Sequence, residues 1–282
     1  MKIDLHLHSH VSDGDLSPAA LVAAALSAGL NIIALTDHDT AAGVAAAQEA
    51  AAGSSLRVVP GIEISTRLDP HELHILGYWI DPGAHPIQEH QVASVHRRVD
   101  RMERMIAKLQ GMGIGVCYDD VARAAGPEVQ SIGRPHLARA LLAGGHTRFY
   151  GEAFARYISD SGPAFVSQGF PSPAEAIATI HAAGGVAVWA HPPLDIVETF
   201  LPDFVEWGLD GVECFRPSLF REDVERLRGL ALAHGLFPTG GSDWHGPHRG
   251  PLGDFSISPD DIREILAAGD ATIQVDESPQ QV

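Results

Sequence analysis

Residues 4–10 read DLHLHSH, which sets imidazoles at positions 6, 8 and 10 with leucine between the first two. In an extended strand alternate side chains share a face, so His6 and His8 point one way while Leu5 and Leu7 pack on the other. Two neutral imidazoles aimed at one point suit a divalent cation, which takes a nitrogen lone pair from each ring. Further along, Asp13 stands in SDGDLSP, His38 in ALTDHDT, Glu63 in VPGIEIS, His74 in HELHILGY and His191 in VWAHPP. Asp243 and His245, in GGSDWHG, repeat the two-residue spacing. Taken alone, His38 or His191 reads as an ordinary structural histidine. Together, six imidazoles and three carboxylates exceed what one four-coordinate ion needs. They point to two or three clustered ions, with a carboxylate such as Glu63 able to bridge. Nitrogen and oxygen donors without thiolate fit manganese, zinc or iron better than calcium.

Residues this far apart must be gathered by a fold. Short apolar runs at 2–8, 31–36, 56–65, 73–80, 186–190, 210–214 and 236–240 alternate with alanine-rich helical stretches, which is a β/α pattern. In a β/α barrel the loops at the carboxyl ends of the strands converge on one mouth, and each candidate ligand lies at or near such a junction. His71 and His74 are an odd number of residues apart, so only one can point inward; His74 is chosen because a strand continues after it. The histidines at 10, 85, 90, 96, 146, 181, 234 and 248 read as surface or packing residues, with His10 nearest to the site. Ser17-Pro18, Ser172-Pro173 and Ser258-Pro259 each pair a capping hydroxyl with proline at a first helical position, and Gly29 and Gly53 read as helix stops.

The alternation breaks between about 82 and 165, where DPGAHP opens a helical insertion. Val95, Val99, Met102, Ile106 and Leu109 recur at helical spacing, with Arg97, Arg101, Arg104 and Lys108 nearly opposite and Arg98 on the flank. The pattern alone favours a solvated basic face; the other reading is a lid whose arginines meet phosphate. The expected division is a barrel from 1–81 and 166–270, an insertion from 82–165 and a frayed tail from 271–282.

Composition limits the rest. A formal charge of −17 argues against a broad nucleic-acid surface but not against a small phosphorylated substrate. No apolar run is long enough to span a bilayer, and the N-terminus lacks a signal-peptide pattern, so a cytoplasmic protein without membrane association is expected. Cys117 and Cys214 are the only cysteines, so neither a disulfide framework nor a thiolate metal site is expected.

The set DLHLHSH…SDG, LTDHDT, GIEIS, HILGY, AHP and GSDWH resembles the polymerase and histidinol phosphatase (PHP) family of metal-dependent phosphoesterases, over about residues 1–80 and 172–270. The insertion resembles, more weakly, that of the small-nucleotide phosphatases in this family. The resemblance implies an α/β fold, a distorted seven-stranded TIM-like (β/α) barrel. It implies one ion on His6, His8, Glu63 and Asp243, a second on Glu63, His74 and His191, and a third on Asp13, His38 and His245. Arg98, Arg101 and Arg134 match best the positions that meet substrate; Arg104 and His136 are weaker matches. After AHP this chain continues PLD, where relatives often have glycine and then a basic or aromatic residue, which leaves the substrate open.

The expected chemistry is in-line hydrolysis of a phosphate monoester by a metal-bridging hydroxide held by Glu63, Asp243 and His245, since a metal lowers the pKa of bound water towards about 7. A nucleoside 3′,5′-bisphosphate is the first choice of substrate, hydrolysed to nucleoside 5′-monophosphate and phosphate. Short oligoribonucleotides trimmed from the 5′ end, nucleoside monophosphates such as AMP and histidinol phosphate are alternatives. An amidohydrolase often bridges its metals with a carboxylated lysine, yet Lys2 precedes the histidines and Lys108 lies in the insertion. A non-catalytic metal-binding accessory module is the rival of another class, and such modules often lose ligands that are all filled here.

Overall fold

A computed structural model describes residues 1–276 apart from Gln168 and Ser218. The chain runs β1 (Ile3–Leu7), α1 (Pro18–Ser27), β2 (Ile32–Leu35), α2 (Val44–Ala51), β3 (Arg57–Leu68), β4 (His71–Tyr78), then the helices α3 (His85–Gly111), α4 (Tyr118–Ala125), α5 (Arg134–Ala143) and α6 (Tyr150–Ala153). A π turn (Phe154–Ile158) leads on to α7 (Pro173–Ala182), β5 (Val186–Trp189), α8 (Val197–Glu206), β6 (Gly211–Phe215), α9 (Arg221–Ala233), β7 (Phe237–Gly240) and α10 (Arg263–Asp276). Each expected apolar run contains or overlaps one of the seven strands.

The strands form one sheet in sequence order, β1 to β7. It curls until Leu7 bridges Trp244, with His8 N–H donating to Trp244 O at 3.0 Å. That closure requires Gly241, where a Cβ would stand 2.3 Å from the Cβ of His6. The fold is therefore the expected TIM-like α/β barrel, with one departure from a regular β/α alternation. β4 is antiparallel to both neighbours, because β3 and β4 are a hairpin with Ser65 opposite His74. A hairpin needs no crossover helix, so His74 reaches the mouth from within its strand and not from a carboxyl end.

Every residue of β1 is buried. Leu7 packs with Leu21, Val22 and Ala25 of α1, while Ile3 and Leu5 pack with Ile257, Ile262 and Ile265. Ser17 and Ser172 cap α1 and α7 as their sequences imply, Ser172 in a reciprocal capping box with Glu175. Ser258-Pro259 starts no helix. There Asp261 N–H donates to Ser258 O and Asp260 N–H to Ser258 Oγ, closing a turn before α10 begins at Arg263. The backbone of α10 stays helical to Asp276, past the expected boundary at 270, since no proline follows until Pro279; residues 277–282 lie outside the described residues.

Helices α3 to α6 carry a core of their own, in which Met102, Met105, Ile106 and Leu109 meet Val121, Leu137 and Leu141. The N-terminal half of α3 departs from the expected stripe. Val95 is exposed and Val99 half-buried, while Ser94, Arg98 and Arg101 turn inward. At its start α3 sets Ile87 into the apolar core of the barrel; it then crosses the barrel mouth, where the waiting partners are the carboxylates of Asp39 and Glu72, and from Met102 onward it meets the apolar core of the insertion.

Candidate metal centre

The nine residues singled out by type and spacing come together at the mouth. His6 Nε2 lies 3.1 Å from His8 Nε2 and 3.2 Å from Glu63 Oε2, and Asp243 Oδ1 stands 3.5 and 3.4 Å from the two imidazole nitrogens. His74 Nδ1 and His191 Nε2 approach Glu63 Oε1 at 2.8 and 2.9 Å. His245 Nε2 lies 3.3 Å from Asp13 Oδ1, and His38 spans the gap, Nδ1 at 3.0 Å from Glu63 Oε2 and Nε2 at 3.9 Å from Asp13 Oδ2. Three sets each offer ligand atoms within 4.8 Å of one another: His6, His8, Glu63 and Asp243; His38, Glu63 and His74; and His8, Asp13, His38 and His245. The rings of His8 and His38 thus stand between adjacent groups, one nitrogen towards each, which strand spacing does not reveal.

Local backbone serves this gathering. His191 and Asp243 have positive φ, 29° and 53°, a conformation costly for a residue with a Cβ and held only where surroundings impose it. Glu213 imposes it on His191: its buried Oε2 accepts His191 N–H at 2.6 Å, and its Oε1 lies 2.9 Å from His6 Nδ1. With Nδ1–H facing that carboxylate, His6 keeps its lone pair at Nε2, towards Glu63. Asp37 shapes the loop that carries Asp13, accepting from Ser9 N–H, Ser9 Oγ and Ser12 Oγ, each at 2.7 Å.

The electrostatics fit bound cations. Among the described residues Glu63 Oε2, His8 Nδ1 and His38 Nδ1 are buried and make no hydrogen bond, although imidazole nitrogens crowd Glu63 Oε2 at 3.0–3.2 Å. Burial raises the Glu63 carboxyl, but the imidazoles of His38, His6 and His74 outweigh it and hold the group well below the usual range. Burial likewise opposes charge on His6 and His8; the carboxylates of Glu213, Glu63 and Asp243 hold His6 well above its ordinary value, and Asp243 with Glu63 lifts His8 to about 10. Burial takes His38 down to about 3, against the pull of the Glu63 and Asp13 carboxylates. The carboxylates thus draw positive charge inward, and in the metal-free chain protons supply it. A divalent cation on the same atoms satisfies the same carboxylates and releases those protons.

Two cavities flank this cluster. One, of about 160 Å³, is lined by Ser65, Glu72, Arg98, Arg101, Ser131 and Arg134 among others. The other, of about 700 Å³, is bordered by Tyr150, Phe154, His245, His248 and Arg249. Arg98 is buried and bound to Asp39, with Nε at 2.9 Å from Oδ2 and a second contact from its Nη2. Arg101 and Arg134 share Glu72, with Nη2 to carboxylate distances of 3.1 and 3.4 Å. Two weaker candidates lie elsewhere. Arg104 is exposed and pairs with Asp100, because each step of three residues along an α-helix advances about 300° and turns it off the face shared by Arg98 and Arg101. His136 is buried at the start of α5, where Nδ1 accepts Gly133 N–H at 2.9 Å, and it lines neither cavity.

Residue type and spacing passed over Glu213, Asp39 and Glu72. For Glu213 a signal existed: one carboxylate inside the apolar run GVECF has to be buried with a partner.

A PHP domain profile matches residues 4–117. The 3′,5′-nucleoside bisphosphate phosphatase of Chromobacterium violaceum is 35% identical over 255 residues, covering 88% of each chain. A 5′-3′ exoribonuclease of Haemophilus influenzae is 37% identical over 252 residues, covering 87% of this chain and 90% of its own. The crystal structure of a Bifidobacterium adolescentis protein described as a metal-dependent phosphoesterase superposes with a TM-score of 0.84 at 34% identity, over 95% of this chain and 96% of that one.

Proposed function

The chain belongs to the PHP domain family of metal-dependent phosphoesterases, and from that premise we propose that it removes the 3′-phosphate of a nucleoside 3′,5′-bisphosphate, leaving nucleoside 5′-monophosphate and phosphate. The observation that carries this reading is the small arginine-lined cavity beside the candidate metal cluster. Its volume of about 160 Å³ admits a phosphoryl group. The ester being cleaved lies over the metals and the second phosphate enters this cavity.

In this reading His6, His8, Glu63 and Asp243 hold one ion, Glu63, His74 and His191 a second, and Asp13, His38 and His245 a third, with manganese the first choice and zinc or iron next. Bound divalent cations supply an acidified water and neutralise charge on the transferring phosphoryl group. The chain's own residues position the rest. Arg101 and Arg134 grip the second phosphate with planar guanidinium groups, and Phe165, 5.3 and 5.6 Å from their carbons, holds both in place. Arg98 fixes α3 to the barrel through Asp39 and Ser65, donates from Nη1 to Ile132 O at 3.3 Å, and lines the cavity. The insertion, residues 82–165, acts as the substrate-binding lid. The rings of Tyr150 and Phe154, 5.5 Å apart, face the nucleobase from the larger cavity. We place the protein in the cytoplasm; no helix among the described residues is long and apolar enough to cross a membrane.

One observation favours a second reading, trimming of short 5′-phosphorylated oligoribonucleotides. Past the cluster, Arg249 lines both the 700 Å³ cavity and a further one of about 340 Å³ bordered by Trp244 and Phe255, so a chain continuing from the scissile phosphate has somewhere to run. The test is a substrate panel with added manganese: a bisphosphate, 5′-phosphorylated di- and trinucleotides, AMP, histidinol phosphate and an aryl phosphate. Arg134→Ala is expected to raise KM for the bisphosphate about 10- to 100-fold, the loss of one charge-assisted bidentate contact, and that for the aryl phosphate far less. Equal effects on both refute the second-phosphate cavity.

A further inference from the structure

Within the arginine cavity, Asp13 at its metal end apart, one residue has the wrong charge for an anion site. Glu72, on β4, points to the same side as His74, two residues on, and its side chain is only 12% exposed. Its Oε1 accepts from Arg101 Nη2 and its Oε2 from Arg134 Nη2, so one carboxylate sits between the two cations offered to a phosphate. Arg67 Nη1 stands 3.9 Å from Oε1, while Asp160 binds Arg134 from the exposed rim. A carboxylate inside an anion cavity repels every anion that enters, and repulsion grows with the charge of the guest.

We propose that Glu72 is a specificity-determining residue, which restricts the cavity to a single terminal phosphoryl group and turns away pyrophosphoryl and longer chains. This rests on the reading of the cavity as the second-phosphate position. Around the cavity Arg98, Arg101 and Arg134 stand against Asp39 and Glu72, a surplus of one positive charge that Arg67 and Asp160, one of each sign, leave unchanged. One phosphoryl group, bringing up to two negative charges, is partly balanced by that surplus and is held by the two forks. A diphosphate brings about one more charge into a cavity of 160 Å³ that already holds a carboxylate. Glu72 also pre-positions the two guanidinium groups before substrate arrives, so affinity is exchanged for discrimination, as negative selection by like charge requires.

The test compares three nucleoside 3′-phosphates that carry at the 5′ position a hydroxyl, a monophosphate or a diphosphate, with release of 3′-phosphate read for each. Wild type is expected to favour the 5′-monophosphate over the 5′-diphosphate in kcat/KM. Glu72→Gln keeps the size and one acceptor and loses the charge; it is expected to raise the diphosphate-to-monophosphate ratio of kcat/KM about tenfold. Glu72→Asp, which keeps the charge, is expected to stay near the wild-type ratio, and thermal melting of both variants checks that the fold is intact. A ratio unmoved in folded Glu72→Gln, or a ratio moved equally by Glu72→Asp, overturns the proposal and leaves Glu72 as a prop for the arginines. Failure of the second-phosphate reading looks different: the 5′-hydroxyl and 5′-monophosphate substrates are then turned over alike by wild type.

Discussion

Replacing Glu213 by glutamine probes the layer behind the candidate ligands. The side chain is fully buried and serves two donors at once, His6 Nδ1 at 2.9 Å and His191 N–H at 2.6 Å. Glutamine has one oxygen for two donors. If that oxygen keeps His191, the amide nitrogen faces His6 Nδ1, which must become an acceptor; the ring proton then moves to Nε2, the atom 3.2 Å from Glu63 Oε2 that a cation needs. If the amide is reversed, donor faces donor at His191, a residue already held at φ 29°. A buried donor left unpaired costs about 1–3 kcal/mol, and loss of a group that orients a metal-binding histidine weakens binding about 10- to 100-fold, or roughly 1.4–2.7 kcal/mol. Both routes lead to the same expectation. Glu213→Gln should bind manganese about 10- to 100-fold more weakly than wild type, with much of kcat restored at saturating metal. Calorimetric titration of chelator-treated protein, checked by manganese electron paramagnetic resonance and by thermal melting, measures it. Wild-type metal affinity and wild-type metal dependence of rate in a folded Glu213→Gln protein would refute the reasoning.

Other expectations follow from the same geometry. Asp243→Ala removes a carboxylate 3.4–3.5 Å from His6 and His8 and should abolish turnover of every substrate, the aryl phosphate included; retained activity with normal metal content contradicts its place among the ligands. Arg98→Met takes the guanidinium partner from the buried Asp39 and leaves it only His90 Nε2 and the Ser65 N–H, which should cost up to about 3–5 kcal/mol and lower Tm by up to roughly 6–20 °C, and an unchanged melting curve removes the anchoring role of Arg98. The pH dependence of stability should carry a mark of His136. Burial takes its pKa from 6.5 to about 4, so between those values the unfolded chain binds a proton that the folded chain does not, and stability falls as pH drops from 6.5 towards 4. Denaturant titrations across that range should show wild type losing up to about 3 kcal/mol more than His136→Asn, whereas parallel curves for the two proteins refute it.

The residues themselves were legible because metal chemistry restricts side-chain type so sharply. His6 and His8 were readable from strand periodicity, Asp243 and His245 from the same spacing at the far end of the chain, and the seven strands from apolar runs punctuated by glycine and proline. These are local properties, fixed by dihedral preference and by which side chains carry lone pairs. What each residue faces is not local. Arg98 and Arg104 share a helix and a charge, yet one is buried on Asp39 and the other is in solvent, and only the crossing of α3 over the barrel mouth separates them. Val95 and Val99 carry a hydrophobic pattern, yet α3 turns Arg98 and Arg101 inward in their place, because the groups it crosses there are the carboxylates of Asp39 and Glu72. Glu213 and Glu72 are two acids on strands; one orients a histidine and the other stands between two arginines, distinctions made by residues more than twenty-five positions away in sequence. The reversal of β4 likewise depends on a hairpin pairing, and the division of ligands among the three groups depends on ring orientation at His8 and His38. Sequence determined which atoms can bind cations and phosphate; the tertiary structure decided which of them meet, because burial and opposing charge are set by neighbours that only the closed barrel brings within a few ångströms.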